Sequence, residues 1–215
     1  MNFDPTQLRI GLLKYIILVA GLCLRQWGRA YAADRLGDPT PAMEGRVTLN
    51  PLVHMDLFGS VIFPLVSIFI FPAGILFCWG KPVFFNPSYF AKPRRDEILA
   101  TLAGPAANLL FALVCTIALG FAYRFDPNTA ELFGLILTIN VSLAVFYLIP
   151  LPPLDGGILL KHLINMSEEL FLTLSQWSFF ILIVLINLPP VQYVLRLVMI
   201  LFAAPFVMLY NIITR

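Results

Sequence analysis

Charge is in short supply in this chain: aspartate, glutamate, lysine and arginine make up 12% of its 215 residues. A soluble domain carries roughly 25%, so an ordinary water-soluble globule is excluded. The net charge of +2 is small and scattered, with no basic run to meet a nucleic-acid backbone. Cysteine is also sparse. Cys23, Cys78 and Cys115 stand singly within apolar runs, without Cys-x-x-Cys spacing, and read as buried small hydrophobes rather than redox or metal groups. No small-residue cleavage site follows the first apolar stretch, so no removable leader is expected. Repeats, low-complexity tracts and flexible linkers are missing too, which leaves one domain over residues 1–215.

What the chain has instead is hydrophobicity: 60% of its residues are apolar and the mean hydropathy is +0.87. A membrane-spanning helix needs about 20 mainly apolar residues. Candidates are Ile10 to Asp34, Leu57 to Trp79, Ile98 to Tyr123, Glu131 to Pro150, Leu170 to Leu188 and Val191 to Ile212. The expected fold is therefore an all-α polytopic membrane protein with five to six membrane segments. Two polar stretches interrupt it, Arg35 to Asp56 and Lys81 to Glu97. Both are rich in Pro, Asn and Gly and suit turns or a short β ribbon at the membrane surface. Leu57 to Trp79 holds Pro64, Pro72 and Gly74, and reads either as a kinked span or as a re-entrant segment.

The first span is odd. Only ten uninterrupted apolar residues run from Tyr15 to Leu24, behind Lys14. Ten residues of helix cover about 15 Å, half the hydrocarbon thickness. To cross, this helix must carry Arg25, Gln26 and Arg29 inside. The alternative is that it ends at the interface and both arginines snorkel into headgroups.

Five stretches carry a resemblance: AYAADRLGDPT (30–40), GRVTLNPLVHMDLFGS (45–60), KPVFFNPSYFAKPRRD (81–96), LAGPAANLLFAL (102–113) and NVSLAVFYLIPLPPLDGG (140–157). Together, in this order, the chain resembles the site-2 protease family of intramembrane zinc metalloproteases, in its short form without an appended PDZ or CBS domain. The resemblance implies that the helix entering Ala30-Tyr31 carries a His-Glu-x-x-His motif. Histidines at i and i+4 would share a helix face and bind zinc, and the glutamate would act as general base. The Asp of Leu-Asp-Gly, here Asp155, would be the third ligand.

Aligned on Ala30-Tyr31, Arg25 and Arg29 stand at the histidine positions and Gln26 at the glutamate. A guanidinium has no lone pair for a metal and keeps its proton, and Gln26 cannot accept one. Tyr147 stands where the family usually has an Asn that contacts substrate, while Asn108 and Asn140 match the pattern as pocket residues. Asp155 is the one surviving ligand, so no catalytic residue, metal or other cofactor is expected. With Arg25, Arg29 and Asp155 summing to +1, an Arg25–Asp155 or Arg29–Asp155 pair is expected to replace the metal as a helix cross-link, forked bidentately on the carboxylate. His54 and Asp56 with Asp155 would make a three-ligand alternative, although His54 reads better as structural; His162 reads as interfacial.

For Arg25, Arg29 and Asp155 to meet, the first span and Glu131 to Pro150 must run the same way, which makes Leu57 to Trp79 re-entrant. Eight basic residues then fall on the proposed cytoplasmic side (Arg35, Arg46, Lys81, Lys92, Arg94, Arg95, Lys161, Arg215) against four opposite (Arg9, Lys14, Arg124, Arg196), as the positive-inside rule asks. Six full crossings give nearly the same bias. Gly45 to Leu49 would offer a strand edge for an unwound partner helix, or else a plain surface ribbon. Three functions remain open: a zinc-free pseudoprotease that binds or shelters transmembrane helices, an active metalloendopeptidase with a non-standard zinc site, and a small channel or carrier. Membrane lipids and transmembrane helices of other proteins are the expected partners, and nucleic acid is not.

Overall fold

The computed structural model describes residues 5–69 and 78–215. Among them the chain is helical, with five helices long and apolar enough to cross a membrane, and it is a multi-pass integral membrane protein. Helix α1 runs Pro5–Arg35. It stops where Gly37 takes a left-handed φ of +107° and the Asp38 N–H reaches back to the Ala33 carbonyl. That six-residue closure needs a residue without Cβ at its turn. Two short helices follow, α2 (Thr40–Met43) and α3 (Pro51–His54), then a π-helical turn Leu57–Ile62 leading into α4 (Phe63–Phe69). Asp56 starts the π turn by accepting from the Phe58 and Gly59 N–H groups.

Helix α5 (Pro93–Ala122) opens with proline at its first position, and the buried Asp96 carboxylate accepts from the Lys92 N–H. It packs against α1 through small residues. Gly28 lies on Ala103 and Ala107, and Gly104 lies on the stems of Arg25 and Arg29. Such close approach is how helices associate where no hydrophobic effect drives them together. Helix α6 (Thr129–Tyr147) returns beside both, and the Asn108 amide ties all three by donating to the Gly21 carbonyl and to Asn140 Oδ1, each at 3.0 Å.

A proline-rich turn over Leu148–Leu154 then delivers α7 (Asp155–Leu163). Gly156 and Gly157 are required here because each lies directly on turn backbone, Gly156 on Leu148 and Ile149, Gly157 on Leu151 and Pro152. No side chain fits either place.

The last two helices are α8 (Glu168–Asn187) and α9 (Pro189–Thr214). Although α8 is long enough to cross, its contacts stay at one end of the bundle. Glu168 pairs with Lys161 of α7, Phe179 meets Trp79 edge-on, and Leu182 and Ile186 pack on Ile149 and Leu151. Leu195 of α9 joins that cluster, while Tyr210 stacks on Phe133 and the Ile213 carbonyl accepts from Arg124. Helix α9 therefore starts at the Asp155 end and finishes at the other. Arg196 thus lies toward the Asp155 end and Arg215 at the other, the reverse of the ends expected for them.

The expected β ribbon is not formed among the described residues, which hold one isolated antiparallel bridge, Met55 to Gly80. Gly45 to Leu49 is irregular because its pairing groups are taken elsewhere. The Thr48 carbonyl bonds the His54 ring and the Leu49 carbonyl bonds Cys23 Sγ. Trp79 N–H donates to the Gly59 carbonyl and Ser60 Oγ to the Trp79 carbonyl, so the two ends of segment 56–79 lie side by side. Between them Phe69 packs on Gly11 of α1. Pro72 and Gly74 lie outside the described residues.

Candidate functional site: a buried arginine–aspartate cluster

The spacing of Arg25 and Arg29 sends both guanidiniums off one face of α1. They meet Asp155 at the first position of α7, where the helix dipole also favours a carboxylate. Arg25 Nη2 donates to Asp155 Oδ2 at 2.6 Å and Nε donates to the same oxygen at 3.1 Å. Arg29 Nη1 stands 3.0 Å from Oδ1 as an ion-pair contact. Both expected pairs form, sharing one acid, and Arg25 converges on a single oxygen instead of forking across two. Asp155 is 0% exposed, Arg25 2% and Arg29 6%, so neither arginine snorkels to a headgroup.

The remaining faces of the cluster are closed. Arg25 Cζ lies 3.3 Å from the centre of the Tyr147 ring, and Tyr147 Oη donates to the Cys78 carbonyl at 3.2 Å. Arg25 Nη1 donates to Gln26 Oε1 at 3.2 Å, and Gln26 Nε2 donates to the Lys81 carbonyl at 2.7 Å. Arg29 Cζ sits 4.9 Å from the Phe85 ring centre. Thus the segment after Trp79 is drawn across α1 by Gln26, through the Lys81 carbonyl, and by Arg29, against the Phe85 ring. Weakly hydrated guanidinium suits such aromatic lining better than ammonium would. Arg29 Nε and Asp155 Oδ1 are buried without a hydrogen-bond partner among the described residues.

All seven residues singled out in the sequence are buried. The structure brings Arg25, Gln26, Arg29, Tyr147 and Asp155 into one cluster, and places Asn108 and Asn140 together where α1, α5 and α6 meet. Sequence reasoning missed Phe85, the Cys78 and Lys81 carbonyls, and Gly104. Only Gly104, inside Gly-Pro-Ala-Ala-Asn, carried a signal, as a small residue in a long apolar helix.

His54 is buried, its Nε2 2.7 Å from the Thr48 carbonyl oxygen. Burial holds its imidazole below the ordinary range, the Thr48 carbonyl pulls the other way and Arg46 adds to the lowering. Asp56 is occupied as a helix cap. His162 Nε2 lies 2.9 Å from Glu97 Oε2, on the start of α5.

Over 197 residues the chain is 32% identical to a Bacillus subtilis protein named "Putative zinc metalloprotease YwhC", covering 86% of each. The chain belongs to the site-2 protease family. It is also 34% identical over 184 residues to "Putative zinc metalloprotease Rip2" of Mycolicibacterium smegmatis, covering 81% of this chain and 68% of that one. A Mycobacterium tuberculosis protein of the same name is 29% identical over 183 residues, with the same coverage. No model of a protein family matches the chain, and no solved structure matches it significantly.

The relatives' names call for zinc, and the cluster can be tested against it. Zinc takes lone pairs from thiolate, imidazole or carboxylate. Asp155 is held by two guanidiniums, and no group of three His, Cys, Asp or Glu side chains among the described residues is arranged to hold a metal. A divalent cation placed on Asp155 would also face two fixed positive charges. This site-2 protease-family cluster does not fit zinc.

Proposed function

We propose that the chain is a zinc-free member of its family, which binds or shelters transmembrane helices and does not cut them. One observation carries this reading: the Asp155 carboxylate is occupied by the Arg25 and Arg29 guanidiniums, and the resemblance puts that acid at the surviving ligand position and those arginines at the positions of the motif's histidines. The guanidiniums do mechanically what a shared metal would do, drawing α1 and α7 together through one carboxylate. They supply neither an activated water nor a general base, since neither they nor Gln26 accepts a proton at neutral pH. The competing reading, an active metalloendopeptidase with a non-standard zinc site, rests on the relatives' names. It needs imidazole ligands, and His54 and His162 are engaged with Thr48 and Glu97.

The reading includes a topology. Segment Leu57 to Trp79 is re-entrant, entering and leaving on the side of Lys81 and Lys92, which is the cytoplasmic one. Its adjoining ends support this, as does the charge tally. Partner helices would approach beside the 45–49 segment, which has no strand neighbour among the described residues.

Photo-crosslinking tests the function. With a photoreactive residue at Val47, the full chain reconstituted with single-pass helices is expected to capture them intact. Shortened products that vanish in Asp155→Asn would overturn the proposal.

A further inference from the structure

Half of the fourteen lysines and arginines have a side-chain partner among the described residues. Arg25 and Arg29 hold Asp155, Arg46 reaches Glu44 and the Val53 carbonyl, Arg94 donates to the His162 carbonyl and Asn165 Oδ1, and Lys161 pairs with Glu168. Lys92 and Arg95 are exposed neighbours on one hollow, and neither side chain has a bond or ion pair among the described residues. The acids of the same turn are spent. Asp96 is buried, bonding the Lys92 N–H, and Glu97 is held by His162.

Lys92 stands just before the first turn of α5 and lines the same hollow as Arg95. Arg95, Leu99 and Leu102 follow one another at four- and three-residue steps on one face of the helix, and Leu99 and Leu102 are exposed. The ridge continues down α5 to the exposed Leu110. A shallow hollow of about 500 Å³ at its head is lined by Lys92, Pro93, Arg94, Arg95, Ile98 and Leu99. Positive charge at one end and an apolar ridge below it match an anionic amphiphile in both charge and shape. The N-terminal end of α5 adds partial positive charge at the same place.

We propose that an anionic phospholipid binds here, its headgroup phosphate between Lys92 and Arg95 and its acyl chains along Leu99 and Leu102. Bound so, the lipid steadies the start of α5, the helix whose Gly104 carries the two buried arginines.

The test is lipid-dependent melting and native mass spectrometry of the full chain in neutral detergent. Phosphatidylglycerol is added in one arm, phosphatidylcholine with the same chains in another, and inorganic phosphate in a third. Phosphatidylglycerol is expected to bind roughly thirty-fold more tightly than phosphatidylcholine, from two near-surface cations. In the Lys92→Ala/Arg95→Ala variant that preference should disappear while the phosphatidylcholine response stays, which shows that the variant is folded. Equal affinities for the two lipids, or a preference that survives the double variant, would overturn the proposal. So would inorganic phosphate reproducing the whole effect, because the site would then be one for a free anion. Should the double variant fail to fold, Lys92→Gln and Arg95→Gln measured singly replace it, each expected to lose part of the preference; no loss in either overturns the proposal.

Discussion

Arg25 with Arg29, and Lys92 with Arg95, are two pairs of cations in one chain, and they live by opposite rules. The first pair is buried and shares one carboxylate. The second is exposed, with no ion pair among the described residues. In hydrocarbon an unpaired charge is costly, so the inner cations demand a partner and fix the helices that bring it. At the membrane surface water and headgroups do that work, and the outer cations are free to bind something else. The contrast separates side chains that hold the fold from side chains available to a ligand.

The contrast can be broken hardest at Asp155. Removing it leaves two guanidiniums uncompensated, so Asp155→Ala should cost about 3–5 kcal/mol and abolish most folded yield in detergent. Thermal melting and gel filtration would read this, and an unchanged melting temperature would remove the cluster from the account. A sharper change exchanges charge for lone pairs. Arg25→His, Gln26→Glu and Arg29→His together should give Asp155 two imidazole neighbours and restore zinc binding near one per chain, read by elemental analysis. Failure of the folded triple variant to bind zinc would mean that these positions do not point where a metal needs them.

Smaller effects belong to the surface. The folded chain favours neutral His54. Its contribution is therefore complete above the unfolded value of about 6.5 and is lost as pH falls from there toward the lower folded value. Melting between pH 7.5 and 5 should show this loss, and His54→Gln should flatten that part of it. The smallest change is expected for Lys92→Ala/Arg95→Ala in detergent without added lipid. No folded partner is lost, so stability should move by less than about 0.5 kcal/mol.

The inner cluster was legible because its logic is local and electrostatic. A four-residue spacing, two fixed charges in an apolar helix and one acid at a helix break leave few arrangements. What stayed hidden depends on shape. Nothing in the spacing says that Arg25 would lie on Tyr147, or that Phe85 would cover Arg29. The course of α8 was hidden for another reason: hydropathy reports length and greasiness, and direction follows from Leu182 and Ile186 finding Ile149 and Leu151. The strand edge at Gly45 to Leu49 was misjudged because Cys23 and His54, distant in one case by 26 residues, take its carbonyls.

The most direct test of the central claim is the zinc content of the wild-type chain, purified without chelator and washed free of loose metal. Background zinc, unaltered by Asp155→Asn, is the expected result. Close to one zinc per chain, lost in Asp155→Asn, would contradict the account and return the chain to the working metalloproteases.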